Sequence, residues 1–235
     1  MTINDIITNI RNIMYKGLAS DDVAVDNRTI KKWIRLHRVL LLKQDLEKGK
    51  SAPAQVVQTL GCLELECVDK AECCQFGLVS GEYVKRTPLL PTPISYSTSL
   101  NKINTLFTYV GLVTGESIDL VTKEEAVQSR FLKYTGNSIR AYYELGRIYV
   151  INAQELEFIK VNGVFEDPET LASFNQCGSP DPCYSDDGPY PMTEYHVSLA
   201  IPMILKTYVQ PIMHPSVKQD IINDSLDNPL KSNNA

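Results

Sequence analysis

The segment from Arg28 to Glu47 constrains this chain more than any other. Ile30, Trp33, Ile34, His37, Leu40 and Leu41 recur at three- and four-residue spacing, which is one apolar stripe of a helix. Val39, Leu42 and Leu46 fall on the other side, so the C-terminal half is apolar nearly all round. Such a helix must be enclosed between neighbours, either in its own fold or between subunits. Asp26 or Asn27 is placed to cap its start. The N-terminal half carries Lys31, Arg35 and Arg38 on one flank, with Lys32 beside them. Residues 28–50 hold eight Lys/Arg and two acidic residues, a local charge of +6 on a chain of net charge -5. A ridge of this kind is a solvated face, or it docks an acidic partner or a phosphate backbone. Lys31, Lys32, Arg35 and Arg38 are the candidate interface or DNA-channel residues, and His37 reads as a packed core residue.

Helical periodicity flanks this segment at both ends of the chain. Ile3, Ile6, Ile7, Ile10, Ile13 and Met14 predict a short amphipathic helix that Gly17 stops. Beyond Thr193, a stripe of Val197, Ala200, Ile201, Ile204, Leu205 and Tyr208 predicts a second long helix, with Pro202 expected to kink or divide it. The sequence between reads differently. Leu63, Leu65 and Cys67 alternate with Glu64 and Glu66, the period of a strand. Thr87 to Pro93 reads as an extended arm, and strands are expected over 106–113, 117–121, 141–145, 147–151 and 156–161. Gly146 makes a tight hairpin of Ala141–Leu145 and Arg147–Ile151, and Asn162-Gly163 predicts a turn. Thr122 and Glu125 form a capping box ahead of a short helix over Lys123–Lys133. A helical start at Pro168–Phe174 and a Gly/Pro/Asp/Ser-rich loop over Asn175–Pro191 follow. The predicted class is α+β, with N- and C-terminal helices (1–54 and 190–219) packed as a small bundle around an inserted β-rich domain (55–189). Residues 220–235 form a polar tail, expected to be mobile.

Several function classes are excluded or left without support. With 43% hydrophobic and 22% charged residues the chain is a folded protein, and its acidic balance argues against a general nucleic-acid binder. No stretch approaches the roughly 20 apolar residues of a membrane span, and MTINDIITNIRN lacks the layout of a secretory signal, so a soluble protein made in the cytosol is expected. Cys62, Cys67, Cys73, Cys74, Cys177 and Cys183 are then expected to stay reduced, as small buried hydrophobes. Neither adjacent Cys73-Cys74 nor the Cys177/Cys183 spacing makes a zinc knuckle, and no metal or cofactor is assigned. No glycine-rich phosphate loop, HExxH or Gly-x-Ser-x-Gly motif occurs, and no enzymatic activity is expected. Tyr142, Tyr143 and Tyr149, with Arg140 and Arg147, offer an alternative: a nucleic-acid-binding accessory module that stacks bases on the tyrosine hairpin and holds phosphates with the basic helix. Cross-strand aromatic pairing explains the same tyrosines without a ligand.

The order of segments also resembles a known family. The helix Arg28–Leu46, then Gly61-Cys62-Leu63-Glu64-Leu65, Val68–Cys73 and Leu90-Pro91, are similar to structural proteins of crAss-like phages. So are Ala141-Tyr142-Tyr143, Arg147–Val150, Gly163–Pro168 and Tyr190-Pro191-Met192, which together cover most of the chain. The resemblance implies a virion protein of the head-to-tail connector: a homo-oligomeric ring of roughly twelve copies between portal and tail, contacting the portal protein and adjacent ring or tail proteins. In such a ring the basic ridge suits docking on an acidic neighbour or lining the DNA channel, and a channel would use charge without base readout; no membrane partner is expected.

Overall fold

The computed structural model describes residues 1–15, 25–68, 84–97, 103–129 and 138–210. The expected stop at Gly17, Cys73, Cys74, the end of the helix predicted to Lys133, and the tail 220–235 lie outside these residues. Four α-helices are present among them: α1 (Ile3–Met14), α2 (Asn27–Glu47), α3 (Lys123–Ser129) and α4 (Glu194–Ile204). Ten strands lie between α2 and α4: β1 (Gln58–Glu64), β2 (Glu66–Cys67), β3 (Val84–Arg86), β4 (Ser95–Ser97), β5 (Ile103–Thr105), β6 (Phe107–Gly111), β7 (Asp119–Leu120), β8 (Arg140–Glu144), β9 (Arg147–Ile151) and β10 (Phe158–Gly163). The fold is α+β, as expected.

The helix ends follow local chemistry. Thr2 and Asp5 cap α1 reciprocally, each side chain accepting the other's backbone N–H. Thr122 and Glu125 do the same for α3. Asp26 precedes α2 but its side chain makes no capping hydrogen bond. Thr193 caps α4 by accepting the His196 N–H. Pro202 does not divide α4: the α-helix runs through it to Ile204 and then widens into a π-helical turn over Leu205–Val209.

The strands form three sheets. One has the order β1-β10-β6, another β2-β3-β9-β8-β7, and β4 pairs with β5. All pairs are antiparallel except β7 with β8. The expected turn at Asn162-Gly163 is not made; β10 runs through both residues, pairing them with β1 and β6. Gly163 serves close approach instead, since a Cβ there would lie 3.1 Å from the Leu106 carbonyl oxygen and 3.3 Å from the Phe107 ring.

The terminal helices pack together, with α2 against α4 and α1 against α2 and the Leu205–Val209 turn. Their apolar cluster does not end at the helices. It continues through Leu60, Leu63, Val161 and Phe165 into Ala141, Ile148 and Val150 of the hairpin. The reverse face of the hairpin is buried as well, where Tyr142, Tyr149 and Ile151 join Val84 and Ala126 of α3. The second side of α2 is enclosed within the chain: Leu42 and Leu46 pack with Val56, Ile94 and Val164, and Val39 lies against them. Apolar burial at about 25 cal/mol per Å² makes these clusters the main source of stability.

Candidate functional site

The predicted basic ridge faces an acidic segment of its own chain. Asp167 opens a 3₁₀ turn over Pro168–Ser173, its Oδ1 accepting the Glu169 N–H at 3.1 Å. That turn and the loop after it lie along α2. Lys31 pairs with Asp186 and, at 3.7 Å, with Glu169. Arg35 pairs with Asp167, and Lys43 with Glu166 at 3.1 Å. Partial burial pulls the Lys31 ammonium down, but the bond to Asp186 and the charge of Glu169 outweigh it, so its pKa is raised. Each of these half-exposed pairs is worth at most about 1 kcal/mol. Together they place the acidic strip.

Arg38 is not a surface residue. It is 0% exposed, so the reading that placed it on a docking ridge is corrected. Its Nε donates to the Pro191 carbonyl at 2.8 Å and its Nη1 to the Phe165 carbonyl at 2.7 Å. Burial pulls the guanidinium below its usual range, and Tyr190 and Asp167 oppose that. The same burial pushes the Tyr190 hydroxyl up to about 12. The sequence pattern missed this because Arg38 lies one residue past His37, at the border of the apolar stripe, where a charged residue normally snorkels outward.

Lys32 does stay exposed, and so does Arg28; neither makes an ion pair among the described residues. Leu36 and Leu40 also face outward, 45% and 44% exposed. Leu40 therefore leaves the stripe on which its spacing had placed it. At the far end of α2, Asp45 holds α4: its carboxylate accepts from Lys50 Nζ at 2.8 Å and from His196 Nε2 at 3.0 Å. His37 is buried as expected, with Nδ1 3.0 Å from the Trp33 carbonyl. Trp33 stacks on Tyr208 at 4.7 Å.

The tyrosine hairpin is closed to a stacking base. Tyr142 and Tyr149 are each 1% exposed and stack on one another at 5.1 Å. Tyr143 packs on Phe107. Both hairpin faces are covered, by the main core and by α3, which alternation within single strands did not reveal. The cysteines also depart from expectation. Cys62 of β1 and Cys177 are joined by a disulfide with Cα atoms 5.0 Å apart, while Cys67 and Cys183 are free thiols. Burial pushes the Cys183 thiol up, against a hydrogen bond from the Gly61 backbone.

Beside the disulfide, a recess of about 1250 Å³ runs along β1, between it and the loop from Pro182 to Thr193 with the first turn of α4. β1 is an edge strand of its sheet.

These features define a mixed α+β fold in which one long helix gathers segments from most of the chain. Over residues 5–233 the sequence matches the family described as phage tail ring protein 2. The chain belongs to that family, the ring structural proteins of crAss-like phages. It is thus a component of the phage tail. No curated protein matches it. No described helix is long and apolar enough to cross a membrane.

Proposed function

We propose that this chain assembles as a closed homo-oligomeric ring of roughly twelve copies between portal and tail, where it continues the DNA channel. Family membership across nearly the whole chain carries the reading. The charge distribution on α2 refines it. Lys31 and Arg35 are occupied by acidic partners in the same chain and Arg38 is buried, so contact with passing DNA falls to Arg28 and Lys32. Two exposed cations suit loose, sequence-independent contact with phosphates. Leu36 and Leu40 extend the same outward face and suit a neighbouring ring, with the portal protein as first candidate.

Quantitative mass spectrometry of purified phage particles tests the assignment. A ratio to portal protein near one to one supports a matching ring at the junction. Absence from particles, or a ratio of a few per cent, overturns it.

A further inference from the structure

The β8–β9 hairpin ends in a tip that its own fold does not require. Leu145 and Gly146 make the two-residue turn with φ of 50° and 78°. That backbone suits Asn or Gly at the first position and disfavours leucine. Leu145 is nevertheless 78% exposed and Leu89 beside it 63%, the highest exposures of any large apolar side chain among the described residues. The two are held firmly. Leu89 lies so close to Gly146 that a Cβ there would sit 2.8 Å from its Cδ1. Leu90 N–H donates to the Gly146 carbonyl at 2.8 Å, and the Arg147 guanidinium donates to the Thr87 carbonyl at 2.9 Å. An apolar knob on a braced, locally unfavourable turn is the mark of a surface kept for contact.

The recess along β1 is the matching hollow. Met1, Val113 and Tyr195, themselves well exposed, line it with Pro189, Tyr190 and Met192. It shares no residue with the tip. The recess carries no excess of positive charge to repel the tip: exposed Glu194 and, on its loop, Asp187 balance Lys160 and the Met1 amino group, which Asp5 also faces. At the tip, Lys123 neutralises Glu144 and Arg147 remains as the net positive charge.

We infer that the Leu89/Leu145 tip of one subunit seats in the β1 recess of the next copy of this chain. A closed ring needs two different, complementary surfaces on each subunit, and these two meet that requirement. The inference rests on the ring reading above.

Full-length Leu145→Asn and Thr59→Arg variants test it, with assembly followed by native mass spectrometry over a concentration series. Asparagine suits the turn, so Leu145→Asn keeps or raises the melting temperature while removing the more exposed half of the knob; Thr59→Arg, at an exposed position of β1, blocks the recess. Each variant alone should associate more than about tenfold more weakly than wild type. Mixed together, they should form one-to-one heterodimers that grow no further, because only one intact knob then faces one intact recess. That outcome also shows both chains folded. Wild-type assembly matched by either variant, a mixture without heterodimers, or a wild-type chain monomeric at every concentration overturns the inference. The particle ratio judges the ring reading separately.

Discussion

Replacing Arg38 with methionine tests whether α2 is held by its buried guanidinium. The substitution keeps an unbranched apolar stem and removes the head that bonds Phe165 at 2.7 Å and Pro191 at 2.8 Å. Two carbonyls then lose their donor in a site 0% exposed, at roughly 1–3 kcal/mol each. Part of that is offset, because methionine carries no charge to desolvate and Nη2 already lacks a partner among the described residues. The expected net loss is about 2–4 kcal/mol. Urea unfolding measures it through Trp33, the only tryptophan, which stacks on Tyr208 about one turn from Arg38. Arg38→Lys should fall between, since an ammonium cannot span both carbonyls in the fixed fork of a guanidinium. If Arg38→Met unfolds within about 0.5 kcal/mol of wild type, the hydrogen bonds contribute nothing net and the reasoning fails.

Other perturbations probe separate parts of the fold. Asp45 is held below the usual carboxylate range, by Lys50 first and His196 second, so its contribution is present above the ordinary value of 3.8 and fades as pH falls through the lower folded value. Asp45→Asn should therefore lower stability at neutral pH and converge with wild type in strong acid, as read from melting curves across pH; a constant gap would refute this. Gly111→Ala should destabilise by roughly 1–3 kcal/mol, because a Cβ there overlaps the Glu116 carbonyl and the Tyr109 ring; an unchanged urea midpoint would argue against that packing. The Cys62–Cys177 bridge spans 115 residues, so its reduction should remove up to about 4–5 kcal/mol if chain entropy governs its effect. Identical midpoints with and without reductant would show that the bridge adds no stability.

The regular elements were readable from the sequence where local spacing and capping chemistry specify them. α1 buries Ile3, Ile6, Ile7, Ile10 and Met14 of its expected stripe while Ile13 stays exposed, α2 begins within a residue of its expected start, and Thr122/Glu125 cap α3 as the pattern implies. What could not be read depends on residues far apart in the chain. Nothing near Arg38 indicates that its partners are the carbonyls of Phe165 and Pro191, and nothing near Cys62 points to Cys177. Tyr142 and Tyr149 looked available because one strand's alternation cannot show that both its faces are covered. Asn162-Gly163 is a strong local turn signal that tertiary pairing overrides. Of the four ridge residues, the structure leaves only Lys32 exposed.

The span of those Arg38 hydrogen bonds bears on how the protein is made. Phe165 and Pro191 lie 127 and 153 residues downstream, so α2 emerges from the ribosome long before the groups that enclose it. At roughly 5–20 residues per second that interval lasts on the order of 8–30 s. During it the helix shows uncovered apolar faces and a strong positive charge, conditions that favour chaperone capture or misassociation. A prematurely terminated chain could never bury Arg38 or complete the recess wall. The buried state of Arg38 is thus reached only by chains whose synthesis has passed Pro191.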